Sequence, residues 1–288
     1  GGGGCRLRRG TGLRDQTAPL AQGRLGLARL LRRPVHRLAV MRGQQDKADH
    51  LAGDALIQKI DQLVRRDRGS YVCFSTVHMV MESYDQPEFG EKVNSADIIV
   101  TDGMPLVWMQ RLQGGEGASR VRANDLMISL CKYARQHGLT VGFYGGAPEV
   151  IDAIKERVAN EFQGLDVVYA YSPPFRPLTE DEDAAIVDEL DRVRPDLLFM
   201  GLGCPKQENW MHGHRDRVRS VMLGVGASFD FFAGNVRECP PWLGRLGLEW
   251  LFRLTQEPRR LWYRYLVLNP RFIALCIVQL TGLKRFDR

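Results

Sequence analysis

Six apolar runs in this 288-residue chain stop at segments whose residues could do chemistry: STVHMV, TDGMP, YGGAPE, SPPFRP, GLGCPKQE and GVGASFDFFAG. Three of them hold closely spaced glycines. Glycine lets a phosphate approach backbone N–H groups, and a helix that follows adds the positive end of its dipole. Gly145 and Gly146 make one such turn. Gly201 and Gly203 make another, and Lys206 and Gln207 follow with a charge and an amide. One glycine turn is ordinary in any tight connection, whereas three at equivalent places point to a nucleotide or sugar-nucleotide site. Asp102 ends the run ADIIVT and precedes Gly103. A carboxylate there suits a general base, and an Asx turn or cap accounts for it equally well.

Other reactive types read as structure. TEDED (179–183) has the look of a D-x-D metal site, but it opens a helical pattern, where acids complement the dipole. Cys204 has no histidine at a telling position and reads as a small packed residue rather than a nucleophile. The six cysteines form no C-x-x-C pair, and no histidine cluster has metal spacing. Reduced thiols, a cytoplasmic setting and no metal or cofactor are therefore expected.

The elements that must position these residues alternate. Strand-like runs are YVCFSTV (71–77), ADIIVTD (96–102), LTVGFYGG (139–146), LDVVYAY (165–171), PDLLFMGLG (195–203) and SVMLGVG (220–226). They are continuous rather than alternating, as for strands buried on both faces. Helical patterns lie between them at 48–66, 123–138, 148–162, 179–193 and 206–218. Thr179 with Glu182 predicts a capping box, Pro148 a helix start and Gly138 a helix end. The fold class is thus α/β: a Rossmann-like parallel sheet with helices on both faces, ligands binding beyond the carboxyl ends of the strands.

Charge divides the chain into three. Residues 1–42 carry ten Arg and one Asp, and residues 245–288 carry nine Lys/Arg and three Asp/Glu. With a net charge of +6 overall, the middle sums to about −9. The basic character belongs to the ends, which argues against nucleic acid as a partner. Residues 1–42 are expected to be a disordered Arg-rich extension, with Met41 a plausible natural start. Residues 43–240 form the body and 241–288 a basic amphipathic appendage. In the appendage, FIALCIVQLTGL has only twelve residues, too few to span a bilayer, and Asn269-Pro270 is expected to interrupt any longer helix. Trp, Leu and Arg together suit a helical segment lying in the membrane interface; a helix pair packed on the body is the alternative.

ADIIVTDGMPLVW, RVRANDLM, FYGGAPEV, PDLLFMGLGCPKQENWM and GVGASFDFFAGNVRECPPWLGRLGLEWLFRLTQEPRR resemble, in order and spacing, the WecG/TagA/CpsF glycosyltransferase family over roughly residues 50–265. The resemblance implies an inverting, metal-independent enzyme. It would move N-acetylmannosamine or a related sugar from a UDP-sugar to a polyprenyl-diphosphate-linked sugar, peripherally attached to the inner face of the cell membrane, in cell-surface polysaccharide synthesis. It implies that Asp102 is the catalytic base. Thr76, His78 (where the family often has Asn), Arg120, Asp125, Gln207 and Asp230 would serve the donor. Arg253, Arg260 and Arg264, at roughly helical spacing, would serve the acceptor diphosphate. A homo-oligomer is left open. Two rival readings remain at this point: a nicotinamide-dependent oxidoreductase, although GLGCPK and GVGASF stop at G-x-G, and a non-catalytic nucleotide-sensing membrane protein.

Overall fold

The computed structural model describes residues 45–112 and 117–281; the N-terminal extension expected at 1–42 lies outside the described residues. All six apolar runs are strands: β1 (Ser70–Ser75), β2 (Ile98–Thr101), β3 (Thr140–Gly145), β4 (Asp166–Tyr171), β5 (Leu197–Gly201) and β6 (Val221–Gly224). They form one sheet in the order β2-β1-β6-β5-β3-β4, every neighbouring pair parallel. β1 and β6 are buried at every position, while β4, at the edge, is buried at none.

A parallel pair needs a crossover, and the crossovers coat both faces. The five helical patterns appear as α1 (Gln45–Val64), α5 (Ala123–His137), α6 (Pro148–Glu161), α7 (Glu180–Val193) and α8 (Lys206–His214). Their ends behave as read. Thr179 and Glu182 form a reciprocal capping box, Gly138 closes α5 at φ 67°, and Pro148 starts α6. Strand alternation divides the core in two. Val141, Phe143, Leu197 and Phe199 face α1, α5 and α6; Tyr144, Leu198 and Met200 face the other layer.

The sequence reading assigned no helix to α2 (Val77–Asp85), α3 (Pro87–Asn94), α4 (Met104–Leu112) or α9 (Ser228–Phe232). Each is nine residues or shorter, and α2 and α3 are divided at Gln86-Pro87, so no window holds enough turns to show a period.

The expected break at Asn269-Pro270 does not occur. After α10 (Pro241–Arg245) and α11 (Glu249–Gln256), the chain runs helically from Pro258 to Leu280 as α12 (Pro258–Trp262), a π-helical turn (Tyr263–Leu268) and α13 (Asn269–Leu280). Pro270 lies in the first turn after the π-helical segment, whose wider winding relieves the clash a proline makes with the preceding turn. This 23-residue run is long and apolar enough to cross a membrane by length and composition. It is nevertheless docked on the body. Leu261, Leu268, Phe272 and Cys276 are buried, the last three in the cluster that holds Met79 and Val80 of α2. Arg271 grips Asp85 with two contacts of 2.6 Å.

At the end of β5, a Cβ added to Gly201 would stand 2.4 Å from the Phe229 ring. Phe229 is wedged against Phe143 and is 1% exposed. Gly201→Ala is expected to destabilise the protein by about 1–3 kcal/mol. Chemical denaturation checks this, and parental stability would mean that the ring can swing aside.

Candidate active site

A cleft of about 260 Å³ opens at the carboxyl ends of β1, β2, β5 and β6, and the segment from Gly247 to Asn269 roofs it. Asp102 lies on its wall directly after β2. The Asp102 backbone N–H donates to the Ser75 carbonyl at 2.9 Å, tying the end of β2 to that of β1. Its Oδ2 accepts the Ala123 N–H at the start of α5 (3.3 Å), and its Oδ1 faces Arg120 Nε at 3.4 Å. Arg120 in turn meets Glu249 of α11 at 2.8 Å, and Arg122 approaches Glu249 at 3.9 Å and Glu238 at 3.7 Å. The side chain of Asp102 is 18% exposed, so it is open to the cleft.

Burial pushes the Asp102 carboxyl up to about 6. Arg120 and the Ala123 N–H pull it down, and Glu249 adds to the rise. Burial opposes the Arg120 charge, but Asp102 and Glu249 outweigh it and hold the guanidinium above its ordinary range. Burial likewise works against the Glu249 charge, yet Arg120 and Arg122 keep that carboxylate below the usual value. The result is a carboxyl that ionises close to neutral pH, where a general base is most effective.

Opposite Asp102 are two left-handed glycine bends, Gly203 (φ 79°) after β5 and Gly226 (φ 53°) after β6. Gln207 joins them from within. Its Oε1 accepts the Gly203 N–H at 3.0 Å, and its Nε2 donates to the Gly224 carbonyl at 2.7 Å and to Glu208 Oε1 at 2.8 Å. Both ends of this buried amide are therefore engaged, and Gln207 braces the bends instead of presenting a free amide. Glu208 beside it is fully buried, its Oε2 has no partner, and burial pushes its carboxyl up. Burial, then Glu208, also push the Cys204 thiol up, which suits a packed residue and not a nucleophile.

Thr76 caps α2 by accepting the Met79 N–H at 3.4 Å. His78, one turn into the same wall, sits 3.3 Å from Glu82; burial and then Arg264 push its imidazole down to about 4, so it is neutral at pH 7. The roof brings Arg253, Arg260 and Arg264 into the cleft. Arg253 stacks over Phe231 at 5.2 Å and its Nε has no partner. Arg264 makes no ion pair or hydrogen bond among the described residues, and burial pushes its guanidinium below the ordinary range.

Asp102, Thr76, His78, Arg120, Gly203, Gln207, Arg253, Arg260 and Arg264 thus line one cleft. Six expected residues do not. Asp125 points outward from α5 and faces Arg122 at 3.6 Å. Asp230 is half-buried on α9 and absent from the cleft lining; burial raises its carboxyl, and Arg260 and Arg253 of the roof oppose the rise. Gly145 (φ 122°) is a packing glycine: a Cβ there would lie 2.5 Å from the Gly201 backbone. Gly146, Gly201 and Lys206 border a separate cavity on the far side of the β5–α8 loop. Gly201 and Lys206 lie on the side of that loop turned away from Gly203, and for Gly146 the cause is sheet order. β3 is three strands from β1, about 14 Å at the usual spacing, so its turn cannot share a wall with Thr76. Arg122, Asn124, Glu208, Glu249, Trp250 and Tyr265 also line the cleft and were not singled out, although GLEW and RVRAND drew attention as motifs.

A parallel sheet whose carboxyl edge carries a buried carboxyl beside a wall of guanidiniums has the groups that transfer chemistry on anionic substrates would need. The chain belongs to the glycosyl transferase WecG/TagA/CpsF family, whose profile matches residues 45–286. It is similar to the N-acetylglucosaminyldiphosphoundecaprenol N-acetyl-beta-D-mannosaminyltransferase of Bacillus spizizenii strain W23, with 32% identity over 210 residues, 73% of this chain and 79% of that one. The Bacillus subtilis strain 168 protein of the same name is 29% identical over 200 residues, 69% of this chain and 75% of its own length. A Staphylococcus aureus strain MW2 relative, also of that name, is 28% identical over 172 residues, 59% of this chain and 66% of its own. The protein is a glycosyltransferase, and the oxidoreductase and non-catalytic readings fall.

Because Arg120 lowers the Asp102 pKa and Glu249 raises it, their removal should move it in opposite directions. Carboxyl-carbon NMR of the parent is expected to show Asp102 titrating near 6, with Arg120→Gln shifting the midpoint up and Glu249→Gln shifting it down. A midpoint near 4 in all three proteins would contradict this electrostatic account.

Proposed function

We propose that this chain transfers N-acetylmannosamine or a related amino sugar from a UDP-sugar to N-acetylglucosamine carried on a polyprenyl diphosphate, with inversion. The observation that carries the reading is the meeting in one cleft of a carboxyl titrating at about 6 and three guanidiniums from the C-terminal segment. The names of the relatives, which describe transfer of N-acetylmannosamine to N-acetylglucosaminyldiphosphoundecaprenol, support the transferred sugar and the acceptor.

In this reaction the Asp102 carboxylate takes the proton of the acceptor hydroxyl as that oxygen attacks the anomeric carbon. The bond from that carbon to the donor diphosphate breaks, and its electron pair leaves on UDP. One displacement inverts the centre. The positive charge that the departing diphosphate requires comes from guanidinium groups, so neither metal nor cofactor takes part. Arg264 and Arg253, with donors to spare, hold the diphosphates. Gly203 and Gly226 keep the floor free of side chains, and neutral His78 and Thr76 offer hydrogen bonds to sugar.

A polyprenyl-linked acceptor supports a position at the membrane, and in this reading the enzyme works on its inner face. The C-terminal helical run supports peripheral attachment. Its docked face is buried, whereas Trp262, Leu266, Ile273 and Ile277 are each about half exposed on the outside.

Asp102→Asn is expected to lower turnover by roughly 10²–10⁴-fold while leaving UDP affinity nearly unchanged; full activity in a radiolabel transfer assay would end the assignment of the base. The double variant Ile273→Glu, Ile277→Glu should lose sedimentation with anionic vesicles yet keep transfer to a short-chain soluble acceptor. Unaltered sedimentation would remove the outer helix face as the attachment surface.

A further inference from the structure

Among the described residues, three buried polar atoms of the cleft lining lack a hydrogen-bond partner: Asn124 Oδ1, Glu208 Oε2 and Arg253 Nε. Buried polar atoms are nearly always paired, so each needs one. Arg253 has a partner in the diphosphates. Glu208 is 0% exposed and engages Gln207 through its other oxygen, out of reach of a substrate. Asn124 remains, and it stands beside the residue that holds Asp102.

Asn124 is the second residue of α5 and is 4% exposed. Its Nδ2 donates to Glu238 Oε1 at 2.7 Å. A carboxylate only accepts, so this bond fixes the amide with its NH2 group towards Glu238 and its carbonyl oxygen away. Glu238 is anchored in turn by Arg122, 3.7 Å from its Oε2. Asparagine in the first turn of a helix commonly bonds to nearby backbone, but here Oδ1 does not. An amide that cannot turn over offers the cleft an acceptor and no donor. The residue before it is Ala123, whose N–H is bound to Asp102 Oδ2 at 3.3 Å. The unpaired oxygen therefore belongs to the same helix end that holds the Asp102 carboxylate.

We infer that Asn124 is a specificity-determining residue, whose Oδ1 accepts a hydrogen bond from the acceptor-sugar hydroxyl next to the one that Asp102 deprotonates. The inference rests on the transfer proposed above. Chemistry selects the group. Ionised diphosphate oxygens only accept and would repel a carbonyl oxygen, and a polyprenyl chain has no polar hydrogen to give. A sugar hydroxyl has one. Because Asp102 takes its proton from the acceptor, the acceptor sugar lies against this wall, and the hydroxyl one carbon away is carried to the same helix end. A sugar without that hydroxyl leaves Oδ1 buried and unpaired, which penalises it. Arg253, Arg260 and Arg264 read the diphosphate, a feature common to all lipid-diphosphate sugars, whereas Asn124 reads the sugar itself.

The test is steady-state transfer by the full chain from UDP-N-acetylmannosamine to a short-chain prenyl-diphosphate N-acetylglucosamine, and to analogues in which each hydroxyl in turn is replaced by hydrogen. The analogue without the reacting hydroxyl yields no product and so identifies that position. In the parent, loss of a neighbouring hydroxyl should raise the acceptor KM roughly three- to tenfold. Asn124→Ala should raise the acceptor KM of the complete sugar by a similar factor, leave the donor KM as it was, and respond no further to loss of that hydroxyl. A merely structural role would not produce this non-additivity. Glu238→Gln, at a side chain about half exposed, can donate as well as accept and so frees the Asn124 amide to turn over. Its penalty for the missing hydroxyl should fall below that of the parent, and this comparison decides the matter if Asn124→Ala does not fold. The inference is overturned if the losses in Asn124→Ala multiply, if no neighbouring hydroxyl matters to the parent, if the donor KM rises instead, or if Glu238→Gln keeps the full penalty. No transfer by the parent to the complete acceptor would overturn the proposed function and this inference with it, whereas transfer without coupling overturns the role of Asn124 alone.

Discussion

The contact on which the site depends is the relay from Asp102 to Arg120 to Glu249. Asp102 belongs to the end of β2, Arg120 to the connection before α5, and Glu249 to the roof. A lone carboxyl in this dry position would be pushed far towards its neutral form. Arg120 restrains that shift, and Glu249 restrains Arg120. The ionisation of one side chain on the sheet is thereby tied to the seating of a segment nearly 150 residues later in the chain. Without the roof, the cleft would lose not only Arg253, Arg260 and Arg264 but also the balance of charge around Asp102.

Seating is itself a packing problem. Leu261, Leu268, Phe272 and Cys276 repeat at helical spacing on the inward face of the C-terminal run, the same face from which Arg264 and Tyr265 enter the cleft. Hydrophobic burial therefore positions the guanidiniums, and the Arg271–Asp85 pair fixes the distal end. On the opposite wall the bracing is polar. Gln207 holds Gly203 and Gly224, and the Gly226 N–H reaches back to the Met200 carbonyl at 2.9 Å, so the β5 and β6 bends move as one.

Much of this was legible in the sequence because the strands are buried on both faces, which makes them continuous apolar runs bounded by glycine and proline. The longer helices were legible through their caps. What escaped was short or non-local. α2 and α4 have too few turns to show a period. Pro270 reads as a breaker to anyone who cannot see the π-helical turn before it. Asp102, Arg120 and the tail arginines were found, since strand ends and family motifs mark them. Gly146, Gly201 and Lys206 look from the sequence as much like phosphate ligands as Gly203 does. Strand order, which no local pattern encodes, carries Gly146 away with β3, and the path of the β5–α8 loop turns Gly201 and Lys206 to its other side. Glu249 was passed over for the same reason: nothing in GLEW says that an arginine 129 positions earlier will meet it.

The uneven charge noticed at the outset acquires meaning once the roof is in place. Arginines at 253, 259, 260, 264 and 271 gather at one end of a body whose central stretch is acidic. Over the described residues that distribution makes an electric dipole. A negatively charged sheet of any kind exerts a torque on it from about a Debye length away, turning the arginine-bearing end forward before contact. Orientation would then precede adhesion, and the rate of productive landing, more than its final strength, would fall as ionic strength rises.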